Sequence, residues 1–205
     1  MVQTNLIDMK KLLTTLFFLT ALFAIAVAAQ PEEQEIRNML DERDAEIKEL
    51  LGPKGTEYTQ EQRDRLKDII NGVIDFRSMA QHALGSTYEE ISSEQREEFV
   101  SLFATIIRDN SMNRLDIYRA DVTYNEVTVD GSSAHVKTTA QLDNVRTPVD
   151  YDLKRKDGEW VVTDFWVDNV STADSYNRQF QSIIRQRGFD ALLQSLQRRA
   201  ARSSS

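Results

Sequence analysis

The sequence predicts an α+β fold: a curved antiparallel sheet built from hairpins and wrapped by helices, forming a cone with an apolar inside. Three observations carry this. Four helix-patterned segments precede any strand pattern. Between Asp121 and Val170 the hydrophobic period then changes to two, with turn residues between the runs. After Ser171 the period is helical again, so the last strand leads directly into a helix that covers one side of the sheet.

The elements follow in order. Lys10 and Lys11 precede an apolar run, Leu12 to Val27, which ends in small residues. Positive start, apolar middle and small-residue exit describe a secretory signal peptide. The alternative is a membrane anchor, but the run is short for a span. Residues 1–29 are therefore expected to be cleaved, leaving one domain over 30–200 and a frayed tail over 201–205. Glu32 to Leu51 carries Ile36, Met39, Leu40, Ile47, Leu50 and Leu51 on one helical face, and Gly52-Pro53 stops it. Thr59 with Gln62 has the spacing of a capping box, followed by a stripe from Leu66 to Ile74. Asp75 caps a short helix that ends at Gly85. Ser92 with Gln95 opens the longest helix, bearing Phe99, Leu102, Phe103, Ile106 and Ile107.

Asp121 to Val129 and Ala134 to Leu142 are strands joined at Asp130-Gly131, a hairpin signal. Val149, Tyr151 and Leu153 alternate with Asp150, Asp152 and Lys154, so one face is buried and one is wet. Lys156-Asp157-Gly158-Glu159 turns into the last strand, Trp160 to Val170. Ser171 offers the N-cap of the next helix, with Asp174 as a capping-box acid, and Gly188 ends it. Asp190 is expected to cap a final helix bearing Leu192, Leu193 and Leu196, and the polar residues from Arg198 onward to fray.

Composition excludes several functions. A net charge of −8 argues against nucleic acid and against simple adsorption to anionic lipid. With no cysteine, there is no thiol chemistry or cysteine metal site. His82 and His135 have no second ligand at metal-site spacing, so no metal and no cofactor are expected. No phosphate loop or hydrolase motif is present. Asp164 interrupts the apolar last strand. It reads either as a catalytic acid in an apolar site or as a bulge carboxylate bonded to backbone N–H groups. The second reading is favoured because no base accompanies it. The C-terminal arginines, among them Arg185 and Arg187, either dock a partner or complement helix C-termini.

The remaining signal is apolar surface. Alternation with a bulge at Asp164 points Val149, Tyr151, Leu153, Val162, Phe165 and Val167 inward. Trp160, Trp166, Tyr176 and Phe180 cluster with them in sequence. On residues alone, these line either a filled core or a cavity.

One resemblance bears on that choice. Trp160, Val162, Asp164, Val170, Ser171, Tyr176, Gln179, Phe180 and Gly188 form an ordered set. So do Asp75-Phe76, Met79, Leu84-Gly85, Gln95-Arg96 and Phe99 upstream. Together they resemble the MlaC family of periplasmic phospholipid-binding proteins, auxiliary components of an ABC transport system. Asn169, Tyr88 and Asn177 depart from the pattern, standing where relatives favour glycine, tryptophan and arginine. The resemblance implies a hollow sheet of NTF2-like type and a monomeric periplasmic carrier of diacyl phospholipid rather than an enzyme. It also implies two partners: an outer-membrane lipoprotein–porin complex and an inner-membrane ABC transporter with an MCE ring. Phe76, Met79, Phe103, Ile106, Tyr176 and Phe180 would then join the six strand residues as lipid contacts. A secreted NTF2-like enzyme using Asp164 on a small apolar substrate is the alternative.

Overall fold

A computed structural model describes residues 31–203. The expected signal peptide and its cleavage point lie outside the described residues. The chain divides into two compact units, residues 1–40 and 41–205. In the first, residues 31–40 are described, and they are helical.

The second unit begins in helix, residues 41–51 (α1). Gly52 ends it with a left-handed φ of 55°, a conformation that glycine adopts without strain. Thr59 then caps α2, Gln60–Asn71, with both halves of the expected capping box in place. Ile47 and Leu51 of α1 bury against Leu66, Ile69 and Ile70 of α2. Asp75 caps α3, Phe76–Leu84, by accepting from the N–H groups of Arg77 and Ser78. A short helix that the sequence reading missed follows, α4 over Thr87–Glu90. It is too short for periodicity to reveal. Arg96 holds it in place by donating to the carbonyls of Tyr88 and Glu89 at 2.6 and 3.0 Å. The longest helix, α5, spans Ser93–Met112 and opens with the expected capping box on Ser92. A 3-10 turn over Leu115–Arg119 leads to the sheet.

The sheet has five antiparallel strands in sequence order. They are β1 Asp121–Asp130, β2 Ser133–Leu142, β3 Val145–Lys156, β4 Glu159–Val167 and β5 Val170–Ser171. The last strand is thus two strands, not one. Asp168 and Asn169 both have positive φ, the turn pattern that matches strand twist, and the chain doubles back at once. Two segments cover the outer edge of β4. One is β5, and the other is the α2–α3 link, where Val162 donates to Val73 at 2.8 Å and Asp75 donates to Val162 at 2.9 Å. Helices α3 and α6, Thr172–Arg187, therefore both start from that edge.

Helix α7, Phe189–Ser203, closes the chain. Phe189 already belongs to it, so Asp190 sits in the first turn rather than at the cap. The helix also continues to Ser203, into the stretch expected to fray, because Leu196 and Ala200 keep one face buried. Helices α3, α5, α6 and α7 share one core of Phe99, Phe103, Ile106, Leu192 and their neighbours. Here α6 also finishes α3. Asn177 donates to the carbonyls of His82 and Ala83, and Gln181 to that of Leu84. Gly85 has a left-handed φ of 58°, and a Cβ there would lie 3.1 Å from the Asn177 amide. Among the described residues, no helix is long and apolar enough to cross a membrane.

Candidate functional site

Strand register decides which side chains share a face. Val149 stands opposite Val167, Tyr151 opposite Phe165 and Leu153 opposite Val162. On the other side Thr138, Val136 and Ala134 face the same three β3 residues. Thr163 is the extra residue in β4, and this bulge lets Val162 and Phe165 share one face, as alternation required. All six strand residues chosen from the sequence therefore lie on one face.

Burial along that face is graded. Near the β1–β2 and β3–β4 turns, Val136, Leu153 and Val162 are at most 3% exposed. Val149 and Tyr151 are half-buried, and Val167 is 42% exposed. Val145 and Val170 are also exposed, both at the turns of the open end. The covered part, Leu153 to Val149, is roughly 13 Å of strand. Asp41 is hydrogen-bonded to the Tyr124 hydroxyl, which brings α1 to this face, and Tyr118 and Asp44 influence the Tyr151 hydroxyl. Burial pushes the Tyr118 and Tyr151 hydroxyls up to about 12. Tyr124 is raised too, by burial and then by Asp41. These phenols stay neutral: apolar rings with a hydroxyl able to donate.

The six helix residues chosen from the sequence sit elsewhere. Phe76, Met79, Phe103, Ile106 and Phe180 are buried in the helical core, with Tyr176 at its edge. Phe103 meets Tyr176 edge-on at 5.1 Å and Phe180 at 5.9 Å. Asn110 donates to the Tyr176 hydroxyl at 3.0 Å. This core joins the sheet wall through Phe165, which packs against it.

A sequence model of MlaC proteins matches residues 41–198, most of the chain. The chain belongs to the MlaC family. It is 23% identical over 208 residues to the intermembrane phospholipid transport system binding protein MlaC of Haemophilus influenzae, covering 96% of each. Its fold matches the phospholipid-binding protein from Ralstonia solanacearum, solved in complex with a phospholipid. That match has a TM-score of 0.70 at 21% identity and covers 84% of this chain and 98% of the other.

In this MlaC-family chain Asp164 is engaged on both oxygens. One accepts from the backbone of Phe165 at 2.8 Å and of Ala173 at 3.0 Å, and the other from the Ser171 hydroxyl. It is 2% exposed, and burial raises its pKa against those three hydrogen bonds. This is the bulge carboxylate of the sequence reading: it fastens the β4 bulge to the start of α6. Ser171 caps α6 as expected, accepting from Asp174 at 2.9 Å. The Asp174 carboxylate does not complete a capping box. It meets His82 at 2.8 Å instead, tying α6 to α3.

Trp166 departs from the aromatic cluster expected of it. It lies on the opposite sheet face and donates to Asp152 at 2.7 Å, and His135 meets the same carboxylate at 2.7 Å. His135 is thus held on that face. Among the described residues no group of three acidic or histidine side chains could hold a metal. Arg185 and Arg187 are exposed in the last turn of α6.

Two recesses accompany the wall. One of about 330 Å³ lies between α3 and the sheet, lined by Ser78, His82, Asp152, Lys154, Thr163 and Asp164 among others. Its polar lining does not suit an acyl chain. A wider one, about 860 Å³, is bounded by the α1–α2 loop and the segment joining α5 to β1. None of its lining residues was singled out from the sequence, because it is assembled from segments far apart in the chain.

Proposed function

We propose that this chain is a periplasmic carrier of diacyl phospholipid, working between an outer-membrane lipoprotein–porin complex and an inner-membrane ABC transporter with an MCE ring. The observation that carries this is the apolar sheet face, sealed at one end and open at the other, on a member of the MlaC family. The neutral phenol of Tyr151 suits an ester oxygen, and the aliphatic row suits acyl chains. The carrier reading is favoured over the enzymatic one because the Asp164 oxygens are engaged in holding α6. Protein purified without detergent should carry about one phospholipid per chain in native mass spectrometry. Apoprotein alone, with no uptake from liposomes, would remove the carrier reading.

Exchange should depend on docking. Exposing an acyl chain of about sixteen carbons to water costs on the order of 10 kcal/mol, at about 0.8 kcal/mol per CH₂. Transfer between two oily sites is near neutral, so the aqueous crossing is the barrier. A chain of net charge −8 adsorbs poorly to anionic membranes and does not shorten that crossing unaided. Exposed Arg185 and Arg187 are the surface proposed for a membrane-bound partner. Fluorescent-lipid transfer should be slow to bare liposomes and fast when the acceptor carries the transporter complex. Equal rates would sink docking. A partner-stimulated rate that survives Arg185→Ala/Arg187→Ala would clear these two residues.

A further inference from the structure

The chain has six tyrosines, and the hydroxyls of five have partners within it. Tyr58 donates to the Leu51 carbonyl at 2.9 Å, and Asn110 donates to Tyr176 at 3.0 Å. Arg77 is hydrogen-bonded to Tyr88, Ser111 to Tyr118 and Asp41 to Tyr124. The Tyr151 hydroxyl has no hydrogen-bond partner among the described residues. It stands in the middle of the inward face, between Val136 on β2 and Phe165 on β4, and its side chain is half-buried.

This hydroxyl is not sealed off. Among the described residues, the fully buried side-chain atoms without partners are one Asp109 oxygen and the Trp160 indole nitrogen. Water can therefore serve the Tyr151 hydroxyl while the face is empty. A lipid laid on the face displaces that water, and a donor left unpaired against aliphatic groups is costly. The bound molecule must then return an acceptor. Phosphate oxygens do not suit the position. Asp44 and Asp150 already act on this hydroxyl, and an anion would meet both of them on an apolar wall. An ester carbonyl is a neutral acceptor, and depth favours it too. Tyr151 lies two residues, roughly 7 Å of strand, inside the Val149–Val167 pair. An ester held at Tyr151 leaves the phosphate near Val167, which is 42% exposed, and points the acyl chains toward buried Leu153 and Val162.

We propose that the Tyr151 hydroxyl donates a hydrogen bond to an acyl ester carbonyl of the carried phospholipid, which fixes the depth of its glycerol and selects acyl over alkyl linkage. The proposal rests on the carrier reading. An ether-linked lipid has the same headgroup and chains but no carbonyl at that level. It displaces the same water and offers a weaker, more hindered acceptor. Tyr151 thus discriminates by what it loses when the acceptor is missing.

The test compares wild type and Tyr151→Phe, as purified mature protein, each loaded with a diacyl or a dialkyl phospholipid of identical headgroup and chain length. Loaded protein is mixed with excess acceptor liposomes, and native mass spectrometry follows the lipid retained. Tyr151→Phe keeps the ring and stays loaded on purification, so the quantity read is the rate of loss. Wild type should hold the ester lipid about fivefold longer than the ether lipid, the effect of one neutral hydrogen bond. In Tyr151→Phe that ratio should fall to about one, chiefly through faster loss of the ester lipid. The carbonyl stretching band of ester-labelled lipid should also lie lower in wild type than in the variant. A hydroxyl that only supports the wall would change both lipids equally and leave the ratio intact, and that result overturns the proposal. A wild type that holds the two lipids alike overturns it even without the variant, as does a carbonyl band that ignores the substitution. A wild type that carries neither lipid overturns the carrier reading instead.

Discussion

Tyr151→Asp should empty the protein of lipid. Tyr151 occupies the middle of the inward face, between Val136 on β2 and Phe165 on β4. It is half-buried, and burial holds its hydroxyl neutral. A carboxylate there would face aliphatic neighbours and the acids Asp44 and Asp150, both already felt at this position. An unpaired charge in such a wall costs several kcal/mol, or must take up a proton to survive. Retention should fall by at least about tenfold, since about 1.4 kcal/mol suffices for that. Tyr151→Phe keeps the ring and should keep most of the lipid. Asp150→Ala, on the opposite face, should leave retention intact. It loses a 3.2 Å hydrogen bond from the Thr138 backbone, at a stability cost of about 1 kcal/mol. Lipid phosphorus per chain, measured beside a thermal melt, separates emptying from unfolding. If Tyr151→Asp, while folded, retains lipid as Asp150→Ala does, this face is not the wall.

The parts of the fold that were legible in the sequence were those fixed by local chemistry. The capping boxes at Thr59 and Ser92 need only four consecutive residues, and both formed. The Asp130-Gly131 and Asp157-Gly158 turns set two of the three long hairpins, and alternation then set the inward face. What failed to show was decided by distant residues. Asp174 has the spacing of a capping-box acid, yet His82, from another helix, claims its carboxylate. Trp166 reads as one more aromatic of the cluster, but the bulge at Thr163 and the carboxylate of Asp152 settle its face and its partner. The helix residues Phe103 and Phe180 are as apolar as the wall residues, and sequence could not distinguish interior from lining. The wider recess exists only once the α1–α2 loop meets the α5–β1 link, so no window of sequence contains it.

Asp164→Ala should cost more stability than any other single polar substitution in the sheet. It would remove the acceptor of two backbone N–H groups, Phe165 and Ala173, and the partner of the buried Ser171 hydroxyl. Buried donors left without partners cost about 1–3 kcal/mol each, so a loss of about 3 kcal/mol or more is expected. The loss falls on the junction of β4, β5 and α6, so α6 should detach first. Hydrogen exchange at Ala173 and Asp174 would rise ahead of global unfolding. Asp164→Asn keeps an oxygen for the two N–H groups and gives the pH dependence its sign. Burial raises the folded pKa of Asp164 above its ordinary value of 3.8. A group with a raised folded pKa contributes its stability in full below the unfolded value and loses it as pH rises through the folded one. Asparagine has no proton to lose, so Asp164→Asn should gain on wild type as pH rises from about 4 toward neutrality. Denaturant melts of both proteins across that range provide the measurement. A gap that widens with pH would mean that the three hydrogen bonds outweigh burial and hold Asp164 as a stabilised anion.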